Sequence, residues 1–248
     1  MPGGGVRVFD GTKIRATFFG VQGSRKLVAL FSYHRPETGF LEPSSSQFFS
    51  DQGWSQIFIH VDQNDYYLND ELPQARRALR RFTKGYWDVR GMGFSMGAFG
   101  CLALARALRM RQAVLVSPIR LGFPHHGPYP APDLTAECAV FDPYGDWLGG
   151  LPDDLRGVIL YDPWMHNGRD QAYARTLAML LPQVHPLAFP GGGHPATRGL
   201  TAINRFGALQ KLLLLPVIQT LPFKSLYRQV RMDQPDYLAK LSGRLLSK

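Results

Sequence analysis

Short apolar runs alternate with longer amphipathic stretches along most of the chain. The runs at 27–31, 56–61, 113–116, 157–161 and 184–189 have the length and apolar content of buried strands. The run at 87–92 is strand-like but less apolar than a central parallel strand should be, so Arg90 must find a carboxylate or reach solvent. Between them, 70–82, 98–109, 170–181 and 200–215 repeat their apolar positions at helical spacing. Ahead of the first run, 7–9 and 13–19 flank Asp10-Gly11, a pairing that predicts an opening hairpin. Strands alternating with helices in this way predict an α/β fold, a mostly parallel central sheet flanked by helices. Two stretches break the rhythm. Residues 118–154 are rich in Pro, Gly and aromatics, and so long a connection inside a domain is usually functional, often a lid. The end of the chain reads as two short amphipathic helices at 225–232 and 235–246, with Pro235 suited to a first helical turn and Asp233 to its cap.

The junction between the run at 87–92 and the helix at 98–109 holds Gly93-Phe94-Ser95-Met96-Gly97. A serine on so sharp a strand-to-helix turn takes a strained backbone, and glycines two before and two after it give the turn room. Its hydroxyl then stands exposed at the top of a sheet. With this pattern at this place the chain resembles the α/β-hydrolase superfamily. The resemblance implies a hydrolase core over residues 1–215, a small cap insertion at 118–156 and a basic helical tail at 216–248.

What the resemblance implies chemically is acyl transfer, with Ser95 as nucleophile. A serine hydroxyl needs a base, and seven histidines are available: His34, His60, His125, His126, His166, His185 and His194. In the superfamily the base follows the last core strand, which selects His194 in the loop Gly191-Gly192-Gly193-His194-Pro195. The acid that orients the imidazole follows the strand at 157–161, where Asp162 and Asp170 compete. Asp162 is preferred, since Asp170 also suits a helix N-cap. The oxyanion hole falls to the backbone N–H of Met96 and to one from Ser32, Tyr33 or His34, with Tyr33 at the centre of that loop. There Phe31-Ser32-Tyr33-His34 replaces the His-Gly pair common in the superfamily.

Composition narrows the picture. The two cysteines supply neither a disulfide framework nor metal-ligand spacing, and Cys101 reads as a buried structural thiol. The N-terminus lacks the regions of a signal peptide, and the aliphatic stretch 212–218 is too short to span a bilayer, so a soluble cytoplasmic protein is expected. Of the formal charge of +9, residues 211–248 carry seven Lys/Arg against two Asp. Arg76, Arg77, Arg80, Arg81 and Lys84 share one predicted helix. These charges read as solvated faces, because no nucleic-acid recognition motif accompanies them.

Asn64, Asp65 and Tyr66, with Tyr67, follow the strand at 56–61 at the sheet end that carries the elbow. Ligands gather at that end of open α/β sheets, so they are candidates for substrate binding; the alternative is a structural turn under packed tyrosines. No metal is expected: His125-His126 with Asp133 offers no recognised ligand spacing. No cofactor is expected either, since Gly191-Gly192-Gly193 lacks the Lys-Ser/Thr of a nucleotide loop. The expected activity is therefore that of a serine hydrolase on a small ester or thioester. The alternatives are an acyltransferase to a hydroxyl acceptor, or a catalytically silent binding protein that uses its tail to meet a protein partner.

Overall fold

The computed structural model describes residues 4–118 and 151–233, together with 237, 239, 242 and 243. Most of the expected cap, including His125, His126 and Asp133, lies outside the described residues, as does most of the helix expected at 235–246.

Eight strands form one sheet: β1 (Val6–Asp10), β2 (Ile14–Phe19), β3 (Lys26–Phe31), β4 (Ser55–Val61), β5 (Asp88–Phe94), β6 (Gln112–Val116), β7 (Arg156–Tyr161) and β8 (Val184–Ala188). Their spatial order is β1-β2-β4-β3-β5-β6-β7-β8. The β1–β2 hairpin is antiparallel, β2 pairs antiparallel with β4, and every pairing from β4 to β8 is parallel. The elbow strand β5 thus stands near the middle, buried on both faces as a central parallel strand must be.

Alternation along the strands divides the core into two layers. Leu27, Ala29 and Phe31, with Ala113 and Leu115, face α2 (Leu72–Phe82), α3 (Met96–Leu108) and α4 (Arg169–Leu180). Val28, Val114 and Val116 face the other way, toward α1 (Gln47–Asp51), α5 (Arg198–Ala202), α6 (Phe206–Leu213) and α7 (Thr220–Asp233). Helix α3 is apolar nearly all round, and every one of its residues except Arg106 is buried. Among the described residues no helix is long and apolar enough to cross a membrane.

Two local expectations change. The single helix expected at 200–215 is broken into α5 and α6: Asn204 takes the left-handed conformation (φ 53°), which asparagine tolerates, and the Arg205 N–H donates to Leu200 O at 2.7 Å. Helix α7 begins at Thr220 rather than 225, with Pro222 in its first turn. Its Phe223, Leu226 and Val230 are buried in the apolar layer that also covers β8. Finally, the polar start of β5 finds a partner set. Buried Arg90 pairs with Asp88 at 2.7 Å, donates to Leu213 O at 2.7 Å and stacks 4.8 Å from the Trp54 ring centroid. All of this lies at the end of β5 remote from Ser95.

Candidate active site

Ser95 has φ 53° and ψ −124°, a conformation that a non-glycine residue adopts only under constraint. The constraint is visible. Its N–H donates to Val116 O at 2.8 Å, holding it to β6, while its carbonyl accepts the Ala98 N–H at 3.0 Å in the first turn of α3. The flanking glycines are required by close approach. A Cβ on Gly93 would lie 2.3 Å from Gly97 O, and one on Gly97 would lie 2.6 Å from Ser32 O. Thus the loop after β3 lies directly against the elbow helix.

The loop after β8 brings His194 to this point. His194 Nε2 lies 3.0 Å from Ser95 Oγ. Gly191 (φ 78°) and Gly193 (φ 81°) take left-handed conformations that let the loop turn back over the sheet. On the far side of the ring, Nδ1 lies 3.5 Å from Asp170 Oδ2. The carboxylate facing the imidazole is thus that of Asp170, whereas the sequence preferred Asp162. Asp170 is not the N-cap of α4; Gly168 is, and Asp170 sits buried in the first turn. There the positive end of the helix dipole favours its charge. Asp162, also buried, serves the backbone of two loops. It accepts the Trp164 N–H at 2.9 Å, in the local turn that aspartate favours, and the Gly193 N–H at 2.8 Å. It holds the residue beside His194 rather than the ring.

Of the three oxyanion-loop residues, Ser32 spends its N–H on Ile59 O at 3.0 Å. The N–H of Tyr33 has no acceptor among the described residues, and its side chain is 56% exposed, directed away from the core. Met96 is the first residue of α3, where backbone N–H groups have no acceptor within the helix. These two peptides flank the contact between Gly97 and Ser32.

Two of the residues proposed to bind substrate hold loops instead. Asn64 clamps both backbone groups of Arg35: its Oδ1 accepts the N–H at 3.0 Å and its Nδ2 donates to the carbonyl at 2.6 Å. Asp65 accepts the Tyr67 N–H at 2.9 Å and the Asn69 side-chain amide. Tyr66 is half-buried, edge-on to Phe99. The residue of greatest structural consequence there is Tyr67, fully buried under Gly100 with φ 67°. Its hydroxyl lies 2.9 Å from Ser32 O, 3.1 Å from Ile59 O and 2.9 Å from Ser32 Oγ. It donates to a carbonyl while Ser32 Oγ–H donates to it, pinning the loop after β3. Burial drives its phenol pKa well above the ordinary value.

No protein-family profile and no curated protein sequence matches the chain. Solved structures do. Est1E from Butyrivibrio proteoclasticus aligns with a TM-score of 0.52 at 13% identity, over 85% of this chain and 98% of its own. A capsule O-acetyltransferase of Neisseria meningitidis serogroup A in complex with CoA aligns at 0.53 and 12% identity, over 82% and 94%. A putative α/β hydrolase from Agrobacterium tumefaciens aligns at 0.50 and 14%, over 84% and 94%. The chain has the α/β-hydrolase fold.

Within that fold, the loop carrying His194 is held from three directions. Asp162 takes the Gly193 N–H, as above. Ser117, at the end of β6, accepts the Ala196 N–H through Oγ at 2.8 Å. From the tail, Tyr227 stacks on Phe189 with ring centroids 4.6 Å apart and donates its hydroxyl to Pro190 O. Neither Ser117 nor Tyr227 carries a signal in the sequence, because each acts on a segment remote in the chain. In this hydrolase fold the last described helix is part of the support for the histidine.

Proposed function

We propose that the chain is a serine acyl-transfer enzyme acting on an ester or thioester. The observation that carries this reading is the 3.0 Å approach of His194 Nε2 to Ser95 Oγ at a strained strand-to-helix turn. With Nδ1 protonated toward Asp170, Nε2 accepts the Ser95 proton as Oγ adds to the substrate carbonyl. The negative charge that develops on the carbonyl oxygen falls to the N–H groups of Met96 and Tyr33, the former aided by the α3 dipole. His194 then delivers its proton to the departing alcohol or thiol, leaving an acyl group on Ser95. Water, deprotonated by the same imidazole, releases the acid and restores the serine. Asp170 holds the imidazole and stabilises it once charged, and Asp162 holds the loop that presents it. Asn64 and Asp65 act through the loops they tie, leaving Tyr66 as the member of that group nearest to a substrate role.

An alcohol in place of water would make the same chain an O-acyltransferase. The likeness to an O-acetyltransferase keeps that acceptor in view, and product analysis with competing alcohols distinguishes the two outcomes. The reading itself is tested with a fluorophosphonate probe and a short p-nitrophenyl ester. Labelling and turnover by the wild type, both abolished in Ser95→Ala and in His194→Ala, are the expected results. Equal labelling of wild type and Ser95→Ala would overturn it.

A further inference from the structure

The positive charge of the chain plays no part in the chemistry at Ser95, and much of it gathers at the opposite end of the sheet. Arg25 and Arg111 stand immediately before β3 and β6, Trp87 immediately before β5, and Arg156 is the first residue of β7. These four strands are consecutive in the sheet. Backbone bonds carry the ladder past the strand starts, from Trp87 N–H to Arg25 O and from Arg156 N–H to Arg111 O, both at 3.0 Å. Neighbouring strands lie about 4.8 Å apart, so the side chains form a row rather than a point.

Two adjoining clefts of about 500 and 340 Å³ share Trp87, Arg111 and Asp154 in their walls. The larger is lined by Arg25, Lys84, Arg106, Arg109 and Arg111, opposed by Asp154, the one acidic side chain among the described residues that line it. Arg106 is drawn to Leu151 O and lies 3.7 Å from Asp153, while Arg25 and Arg156 engage Gly85 O and the Gln183 side chain through Nε. Lys84, Arg109 and Arg111 make no ion pair or side-chain hydrogen bond among the described residues. The negative end of the α3 dipole accounts for Arg106 and Arg109, but it does not reach Arg25, Arg111 or Arg156. Amid these cations, and with Lys26 Nζ 5.9 Å from its ring centroid, Trp87 is 56% exposed.

We infer that this cleft binds single-stranded nucleic acid, an activity separate from acyl transfer and independent of it. A row of guanidinium forks matches successive phosphates, and an open indole among them offers a stacking face to an unpaired base. A flat bilayer does not enter a concave cleft, and a duplex, whose bases are already stacked, offers Trp87 nothing. The sequence carries no motif for this function because its parts are dispersed at 25, 84, 87, 109, 111 and 156, brought together only by the sheet.

The test is fluorescence anisotropy of a labelled oligo(dT) of about twelve nucleotides with the full chain, titrated at increasing salt. Three or four phosphate contacts give a log K against log salt slope of about −2 to −3. The double variant Arg109→Glu/Arg111→Glu should weaken binding about tenfold or more and flatten that slope. Trp87→Ala should weaken it about tenfold with the slope unchanged. Wild-type melting temperatures for both variants exclude misfolding, and a tail control, Lys224→Glu/Arg228→Glu, should bind as the wild type does. Four results would each overturn the inference: no binding at low salt; unaltered binding by the cleft variants; equal loss in the tail control; or competition by a blunt duplex or phosphatidylserine vesicles as strong as by the oligonucleotide.

Discussion

Replacing either buried aspartate by asparagine separates two roles served at neighbouring residues, Gly193 and His194. In Asp170→Asn the side chain keeps its shape but loses the charge facing His194 Nδ1 across 3.5 Å. The amide can present its NH₂ to that nitrogen and favour the wrong tautomer, the effect that costs about 10⁴ in kcat in the serine protease triad. The longer separation here points to the lower side, a loss on the order of 10³–10⁴. In Asp162→Asn the imidazole keeps its acid, but one of two N–H donors, Trp164 or Gly193, meets an amide NH₂ instead of an oxygen. Hydrogen bonds to a charged acceptor contribute about 1.5–3 kcal/mol each, so the expected loss is about 2–3 kcal/mol of stability. The fall in kcat should be no more than about tenfold, as the base loop loosens. The measurements are kcat on a p-nitrophenyl ester, the fluorophosphonate labelling rate and urea denaturation of both variants. An Asp162→Asn protein of undiminished stability whose kcat falls as far as that of Asp170→Asn would refute the assignment. So would an Asp170→Asn protein of full activity.

Two further outcomes follow from contacts away from the reacting atoms. Tyr227→Phe keeps the stack on Phe189 but removes the donor to Pro190 O; a net hydrogen bond of about 0.5–1.5 kcal/mol predicts a three- to tenfold fall in kcat and labelling rate with KM unchanged. Unchanged kcat would show that the tail does not support the histidine loop. His60 is buried with no hydrogen-bond partner for Nδ1 among the described residues, and burial, then the charges of Arg7, Arg15 and Arg35, lower its pKa from 6.5 to about 4. Above the unfolded value both states are neutral and the residue contributes nothing to pH dependence. Below it the unfolded chain takes up a proton that the fold refuses, so stability is lost as pH falls toward 4, by about 3 kcal/mol in all. Denaturant midpoints measured from pH 7 to pH 4 should fall less in His60→Gln; parallel curves for the two proteins would rule the residue out as the cause.

Most inner strands were legible because burial on both faces favours apolar runs, and each run in the sequence became a strand of the sheet; edge strand β8 and the polar start of β5 carry that signal less fully. The elbow was legible for a related reason: the space that Gly93 and Gly97 leave is set by neighbours within a few positions and by one adjoining loop. The acid was not, because a carboxylate's role depends on where its side chain is turned. Asp162 is folded back by a bond to the peptide two residues on, and Asp170 is carried inward by a helix that starts after a left-handed Gly168. Tyr67 was hidden for another reason, since its positive φ and its bonds to Ser32 and Ile59 contradict what an aromatic residue in a polar turn usually does. Arg90 reads as a defect in a central strand until Asp88, Trp54 and the carbonyl at the end of α6 are seen around it.

The clasp between Tyr227 and Pro190 also bears on when the proposed site comes together during synthesis. Ser95, its strained turn and the eight strands of the sheet precede residue 189, whereas the aromatic ring that backs the His194 loop is made nearly forty residues afterwards. A nascent chain can complete its sheet while α7 is still within the ribosome. On the proposed function, full reactivity then waits for that helix to dock, and a polypeptide released early would leave the apolar layer over β8 uncovered and the His194 loop without its backing ring.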